Sequence, residues 1–294
     1  METLSNKTVL LTGAAGGIGR YIAKALLEAG ASAVCVGRSR ASLDSLQRWL
    51  QSGTADYSGR IFVFAYDLQR IESIPDLVQK IERSAGPIDA LINNAAIEKF
   101  SAFQDYSLAD IQATTTTNLL APMALCHAVL PRMLMRGGGH IVNISSGAGK
   151  HGAPFNSVYS ATKAGLINWS EGLRLELADS AISVSVVCPG ITDAGMFHAL
   201  ETEAPEGMKI TPPSVVADAV IQAILNSRAE VVLDGLPNRV FAALSQLSPE
   251  LGDHILRSVG IVETNRECAD RLLQKERSQK PDSADKQTES LAAH

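Results

Sequence analysis

The chain has 294 residues, 46% of them hydrophobic and 19% charged, with a formal net charge of -5. That length allows a sizeable core, in one extended domain or two small ones, and the acidic balance excludes the basic footprint of a nucleic-acid binder. Met1 to Lys7 lacks the basic and apolar pattern of a secretory signal, and no unbroken apolar run reaches the length of a membrane span, so no membrane contact is expected.

Lys7 to Thr12 is a β-branched and apolar run that leads into Gly13-Ala-Ala-Gly-Gly-Ile-Gly19 and then a helical pattern, Tyr21 to Ala29. Strand, glycine turn and helix form the context of a dinucleotide loop. The glycines let the backbone approach a pyrophosphate, and free N–H groups at the helix start attract its charge. Gly30 caps that helix and Ala31 to Val36 forms the next strand. An acidic residue at its end would bond the ribose hydroxyls and repel a 2'-phosphate; the chain instead reads Gly37-Arg38-Ser39-Arg40. Arg38 is therefore either a partner for phosphate or a solvated loop charge.

A helix follows from Ala41 to Gln51, then a strand from Arg60 to Tyr66 that ends in Asp67-Leu68, placing Asp67 to meet the adenine amino group. Ile71 to Ser84 reads as a helix, and Ile88 to Ile92 as a strand running into Asn93-Asn-Ala-Ala96. Strands and helices alternating over short connections predict a parallel sheet covered on both faces, with ligands beyond the carboxyl ends of the strands. Leu108 to Arg136 is a long helical region containing Asn118, and His140 to Ile144 is a strand closed by Ser145 and Ser146. A looser segment, Gly147 to Asn156, leads to a helix that continues through Trp169 and Leu177. On that helix Tyr159 and Lys163 stand four residues apart and share a face. A tyrosine has an ordinary pKa near 10, and a fixed ammonium beside it favours phenolate.

Ile182 to Cys188 is a strand broken by Pro189-Gly190, and Ile191 to Ile210 lacks strong periodicity, as a substrate cover would. Met196, Phe197, Leu200 and Met208 stand in it among Glu201, Glu203 and Glu206. A helix from Ser214 to Ser227 and a short strand from Glu230 to Leu233 complete the pattern. Leu236 to Ile261 has apolar residues near helical spacing, interrupted by Pro249. It reads as two helices packed on the domain or on a second subunit, or else as an apolar wall of the substrate channel. Residues 278–294 are polar and expected to be disordered. The four cysteines, Cys35, Cys126, Cys188 and Cys268, lack metal-ligand spacing; no metal site is expected, and packed, reduced thiols point to the cytoplasm.

In this order TGAAGGIG, NNAA, Asn118, Ser146, YSATK and PG resemble the short-chain dehydrogenase/reductase family over about residues 5 to 235. The thirteen-residue step from Ser146 to Tyr159 is similar to the family's spacing and selects Ser146 over Ser145. The resemblance implies a Rossmann-like, doubly wound α/β domain of about seven parallel strands over residues 1–235, followed by a helical extension over 236–277. It also implies a catalytic set of Asn118, Ser146, Tyr159 and Lys163. Hydride would pass between a nicotinamide and a carbonyl carbon while Tyr159 exchanges a proton with the oxygen, Ser146 donates a hydrogen bond and Lys163 holds the ribose. Asn118 would bend its helix and hold a water linking Lys163 to solvent.

Cofactor contacts are expected from Gly13, Ala15, Gly17, Ile18, Gly19, Arg38, Asp67, Leu68, Asn94, Ala95, Ala96, Tyr159, Lys163, Pro189, Gly190 and Thr192. Substrate contacts are expected from Ser146, Tyr159, Phe155, Met196 and Phe197, which favour an apolar carbonyl or alcohol. Three positions depart from the family pattern. Gly16 stands where NADP-preferring relatives carry a basic residue, so a preference for NADP(H) over NAD(H) rests on Arg38. Ala96 replaces a glycine, and Ala194 replaces a threonine that bonds the carboxamide, with Thr192 two residues earlier. A homodimer or homotetramer is expected through the helices holding Asn118 and Tyr159. The alternative to an enzyme is a nucleotide-sensing protein on the same fold.

Overall fold

A computed structural model describes residues 4–53, 55–199 and 210–279. Seven strands form one parallel sheet in the order β3-β2-β1-β4-β5-β6-β7. They are β1 (Thr8–Thr12), β2 (Ser32–Gly37), β3 (Ile61–Ala65), β4 (Ala90–Asn93), β5 (Gly139–Ile144), β6 (Ile182–Cys188) and β7 (Glu230–Val232). The strands are largely apolar because both faces are covered. Alternate residues supply two cores. Val9, Leu11, Cys35, Ile92 and Val187 meet Ile22 and Leu26 of α1 (Gly17–Glu28), Leu43 of α2 (Arg40–Gln51) and, further along the sheet, Val220 of the helix Pro213–Leu225. Leu10, Val34, Leu91 and Ile141 point the other way, toward Ile81 of α3 (Ile74–Ala85), and Val129 of the helix Ala121–Arg136. Each fully buried Leu or Ile contributes about 1.5–3 kcal/mol relative to exposure.

The chain reverses its direction of winding between β1 and β4, so the carboxyl ends of those two strands frame a crevice. Thr12 closes it from within. Its hydroxyl accepts the amides of Asn94 (3.0 Å) and Ala95 (3.1 Å) and donates to the Ile92 carbonyl (3.3 Å).

The predicted helix Leu108 to Arg136 is three consecutive pieces: α4 (Leu108–Thr115), a π-helical turn over Thr116–Leu120, and α5 (Ala121–Arg136). By length and mean hydropathy, 1.2 over its best window, this stretch is apolar enough to cross a membrane, although polar residues interrupt its apolar runs. Its inward side, Leu125, Cys126, Val129 and Met133, belongs to the second core. The helix α6 (Ser157–Glu176) carries Tyr159, and the substrate cover contains α7 (Met196–Ala199), with Thr192 and Thr211 paired at its two ends. Leu200, Glu201, Glu203, Glu206 and Met208 lie outside the described residues.

After α8 (Pro213–Leu225) and β7 come α9 (Leu236–Leu247), α10 (Pro249–Ser258) and α11 (Ile261–Gln279). The two helices expected over Leu236 to Ile261 are α9 and α10, and α11 continues the extension. Pro249 opens α10, since proline is tolerated in the first helical turn. Of the predicted tail only Ser278 and Gln279 are described, and they end α11.

Candidate active site

The glycine turn is shaped by close approach. Gly13 has φ +63°, and a Cβ there would lie 2.8 Å from the Ala95 Cα; a Cβ on Gly19 would lie 2.1 Å from the Gly13 carbonyl oxygen. The helix begins earlier than its apolar pattern suggests, at Gly17, because the glycines themselves form its first turn. Gly16, its N-cap, offers no side-chain acceptor and the first turn carries no carboxylate. The leading N–H groups of α1 are thus free of a capping side chain and suit a dinucleotide's pyrophosphate. Asn94 acts here as a brace: its amide donates to the carbonyls of Thr12 (3.0 Å) and Gly13 (3.2 Å). Ala96 follows in the same wall, partly exposed.

Arg38 is exposed just beyond β2, and it forms no ion pair among the described residues, whereas Arg40 is held by Asp44 at 2.9 Å. Asp67 is exposed at the end of β3, where its carboxylate accepts the Gln69 amide (3.1 Å), and Leu68 is buried beside it. Ala15 and Ile18 pack against the first core.

The catalytic candidates converge at the carboxyl ends of β4 and β5. Asn118 is fully buried inside the π-helical turn and clasps the Ile97 backbone, accepting its N–H and donating to its carbonyl, both at 2.9 Å. A widened turn of this kind is typical of functional positions. Ser145 is buried and donates to the Lys163 carbonyl (2.9 Å). Ser146 is more open; its oxygen accepts the Ala148 amide (3.1 Å), leaving its O–H to donate elsewhere. Tyr159 is buried with Ser146 beside it.

Lys163 stands over the Tyr159 ring. Its Nζ lies 5.6 Å from the tyrosine ring centroid and donates to the Ile144 carbonyl at 2.7 Å. Burial lowers Lys163 to about 8, opposed by the negative charge of Glu98. Burial first, and then Glu98, push the Tyr159 phenol well above its ordinary value, while Ser146 pulls it down.

The Pro189 carbonyl accepts the Gly147 amide (2.8 Å), tying the serine loop to the β6 break. Asp234 packs so closely on this junction that a Cβ on Gly190 would lie 2.0 Å, and one on Gly147 2.4 Å, from its carboxylate oxygens. Thr192 is buried and its hydroxyl donates to the Gly190 carbonyl (3.2 Å). Ala194 and Gly195 lie against Gly17, linking this turn to the glycine loop.

Residues 7–205 match the family pattern described as short chain dehydrogenase. The chain belongs to the short-chain dehydrogenase/reductase family. It is 43% identical over 276 residues to a ketoacyl reductase, HetN, of a Nostoc species, covering 92% of this chain and 95% of that one. It is 32% identical to dehydrogenase/reductase SDR family member 7B of Mus musculus, over 87% of this chain and 81% of the relative. Among solved structures, an actinorhodin polyketide ketoreductase with NADPH superposes with a TM-score of 0.72 at 28% identity. The match covers 80% of this chain and 98% of the other. A metagenomic short-chain oxidoreductase in complex with NADP gives 0.65 at 28% identity, covering 78% and 97%. This short-chain dehydrogenase/reductase is thus a nicotinamide-dependent oxidoreductase acting on CH–OH and C=O groups.

Sequence reasoning missed several residues of this dehydrogenase's site. Glu98, Asn156 and Asp234 carry no motif, although Glu98 follows the NNAA run at the ligand end of the sheet, a position that invites attention to any charge. Phe155, assigned to substrate, has φ +57°, and the guanidinium of Arg266 on α11 stands 5.4 Å above its ring. Met196 and Phe197 open α7 on the cover, apart in sequence from that stack.

Proposed function

We propose that this oxidoreductase is an NADP(H)-dependent reductase of a carbonyl carried on an apolar body. The observation that carries the cofactor preference is Arg38, exposed beyond β2 next to the start of α2, with no carboxylate in the first turn of that helix. An unpaired guanidinium beside a helix N-terminus favours the 2'-phosphate that distinguishes NADP from NAD. The substrate class is supported by the apolar residues around the serine loop: His151 and Phe241 stack edge to face at 4.9 Å, and Phe155 lies under α11. The ketoacyl reductase among the relatives makes a 3-ketoacyl thioester the first probe.

Bound nicotinamide supplies the hydride. Tyr159 donates the proton to the carbonyl oxygen as general acid, and Ser146, its lone pair engaged by Ala148, turns its O–H to the same oxygen. Lys163 keeps positive charge beside the phenol and replaces the proton. Self-association is supported by an apolar groove between α4 and α6, lined by Phe103, Ile111, Leu119, Val158 and Ala161. Four buried thiols support the cytoplasm as the site of action.

The test is NADPH oxidation with an acetoacetyl thioester and a panel of aromatic ketones. The expected result is turnover that Tyr159→Phe lowers by about 10²–10⁴-fold. Arg38→Ala is expected to weaken NADPH about tenfold and leave NADH unchanged. Tighter NADH than NADPH binding in the wild type overturns the preference; no turnover of any ketone overturns the reductase reading.

A further inference from the structure

Among the described residues, a carboxylate that the reaction above does not use stands beside the catalytic candidates. Glu98 stands one residue beyond Ile97, whose backbone is clasped on both sides by Asn118. Its Oε1 accepts a hydrogen bond from the amide of Asn156 at 2.5 Å. Asn156 is buried and is the N-cap of α6, the helix that carries Tyr159 and Lys163. Three residues further on, the Ser101 amide donates to the Phe155 carbonyl (2.8 Å), so the Glu98 segment is stitched to the start of α6 at two points. The carboxylate therefore sits at the N-terminus of a twenty-residue helix, where an anion is favoured, and within electrostatic reach of both catalytic groups.

We propose that Glu98 is a positioning residue that holds the proton on the Tyr159–Lys163 pair and so favours carbonyl reduction over alcohol oxidation. This rests on the reductase reading for its consequence, although the electrostatics can be tested without it. An anion beside two groups that each release a proton makes both releases harder, whichever goes first. The effect has the same sign at both residues: Glu98 raises Tyr159 and raises Lys163. Reduction needs phenol and ammonium together, the state that Glu98 stabilises; oxidation needs phenolate, which it opposes.

Among the described residues, other titratable groups also stand near the cluster. Tyr106 is neutral and pushed up to about 12 by burial and by Glu98 itself, and Asp110 is paired with Lys99 at 3.1 Å. Cys188 is pushed up to about 12 chiefly by burial and stays an uncharged thiol. Glu230 beside it is paired with Lys150. Asp234 packs on Gly147 and Gly190. Glu98 itself keeps part of its surface open. Loss of water is still the largest influence on its carboxyl and raises it, opposed by Asn156 and Lys163.

The decisive variant is Glu98→Gln, which keeps the shape and an oxygen for Asn156 but removes the charge; Glu98→Asp keeps the charge and withdraws from Asn156. Rates of NADPH-dependent reduction and of NADP-dependent oxidation are measured against pH with whichever probe ketone, and its alcohol, the wild type turns over. In Glu98→Gln the alkaline fall of reduction and the alkaline rise of oxidation are both expected about one pH unit lower, with Glu98→Asp close to wild type. In parallel, tyrosinate absorbance is titrated without substrate, the Tyr159 signal being isolated as the difference from Tyr159→Phe in each background. It is expected at lower pH in Glu98→Gln. Unmoved limbs, with Glu98→Asp the more damaged variant, would make Glu98 a packing residue only and overturn the proposal. If the wild type reduces no ketone, the reductase reading fails, and the tyrosinate titration alone decides for or against Glu98.

Discussion

Replacing Thr12 by valine tests the joint between the two halves of the cofactor crevice. Thr12 is 1% exposed, and valine reproduces its shape without the hydroxyl. The change strands the amides of Asn94 and Ala95, now held at 3.0 and 3.1 Å, and leaves the Ile92 carbonyl without its side-chain donor. A buried donor left unpaired costs about 1–3 kcal/mol, and these two amides are only partly buried, so a loss of about 2–3 kcal/mol is expected. In a domain of this size that is a fall in Tm of about 4–5 °C. Because the same amides fix the wall beside the glycine turn, NADPH binding is expected to weaken about tenfold. Urea unfolding followed by circular dichroism gives the first quantity and NADPH fluorescence titration the second. Thr12→Ser, which keeps the hydroxyl, should retain most of both. A Thr12→Val protein within about 0.5 kcal/mol of wild type would refute the reasoning, since that is the range of substitutions touching nothing important.

Gly190→Ala should be costly through one neighbour, because its Cβ would fall 2.0 Å from an Asp234 oxygen. The expected loss is about 1–3 kcal/mol, relieved when Asp234→Ala is combined with it; a cycle of the two variants showing no coupling would contradict that contact. His140 is buried against Ser185 at 2.8 Å and burial lowers it to about 4. With the folded value below the unfolded one, its contribution is complete above about pH 6.5 and is lost as pH falls through about 4. Wild type should therefore lose about 3 kcal/mol more than His140→Gln between pH 7 and pH 4 in urea unfolding, and parallel curves would count against it.

The sheet was legible because its period is two and both faces are apolar: Val9, Leu10 and Leu11 can only be a strand buried on both sides. Asn118, Ser146, Tyr159 and Lys163 were legible as candidates through the family resemblance of the motifs that hold them, on elements whose ends meet at one edge of the sheet. Local spacing did not foresee where side chains turn. Lys163 reaches the Ile144 carbonyl, since a buried ammonium takes the nearest strong acceptor. Phe155 turns to α11 through a positive φ that no pattern announces. Glu98 was invisible for a simpler reason: its partner, Asn156, lies 58 residues away and neither belongs to a motif.

The loop between Ser146 and Tyr159 is fastened by the last part of the chain. Gln246 donates to the Lys150 carbonyl (3.2 Å), Asn265 to that of Pro154 (2.9 Å), and Phe241 and Arg266 cover His151 and Phe155. Synthesis as far as β7 supplies all seven strands of the described sheet and the four candidate catalytic side chains. The fastening is complete only once α11 has emerged. The loop between the two candidate catalytic residues is thus braced from positions 96 and 111 residues further along the chain, so a substitution on α9 or α11, remote from the sheet, reaches the site through these bonds.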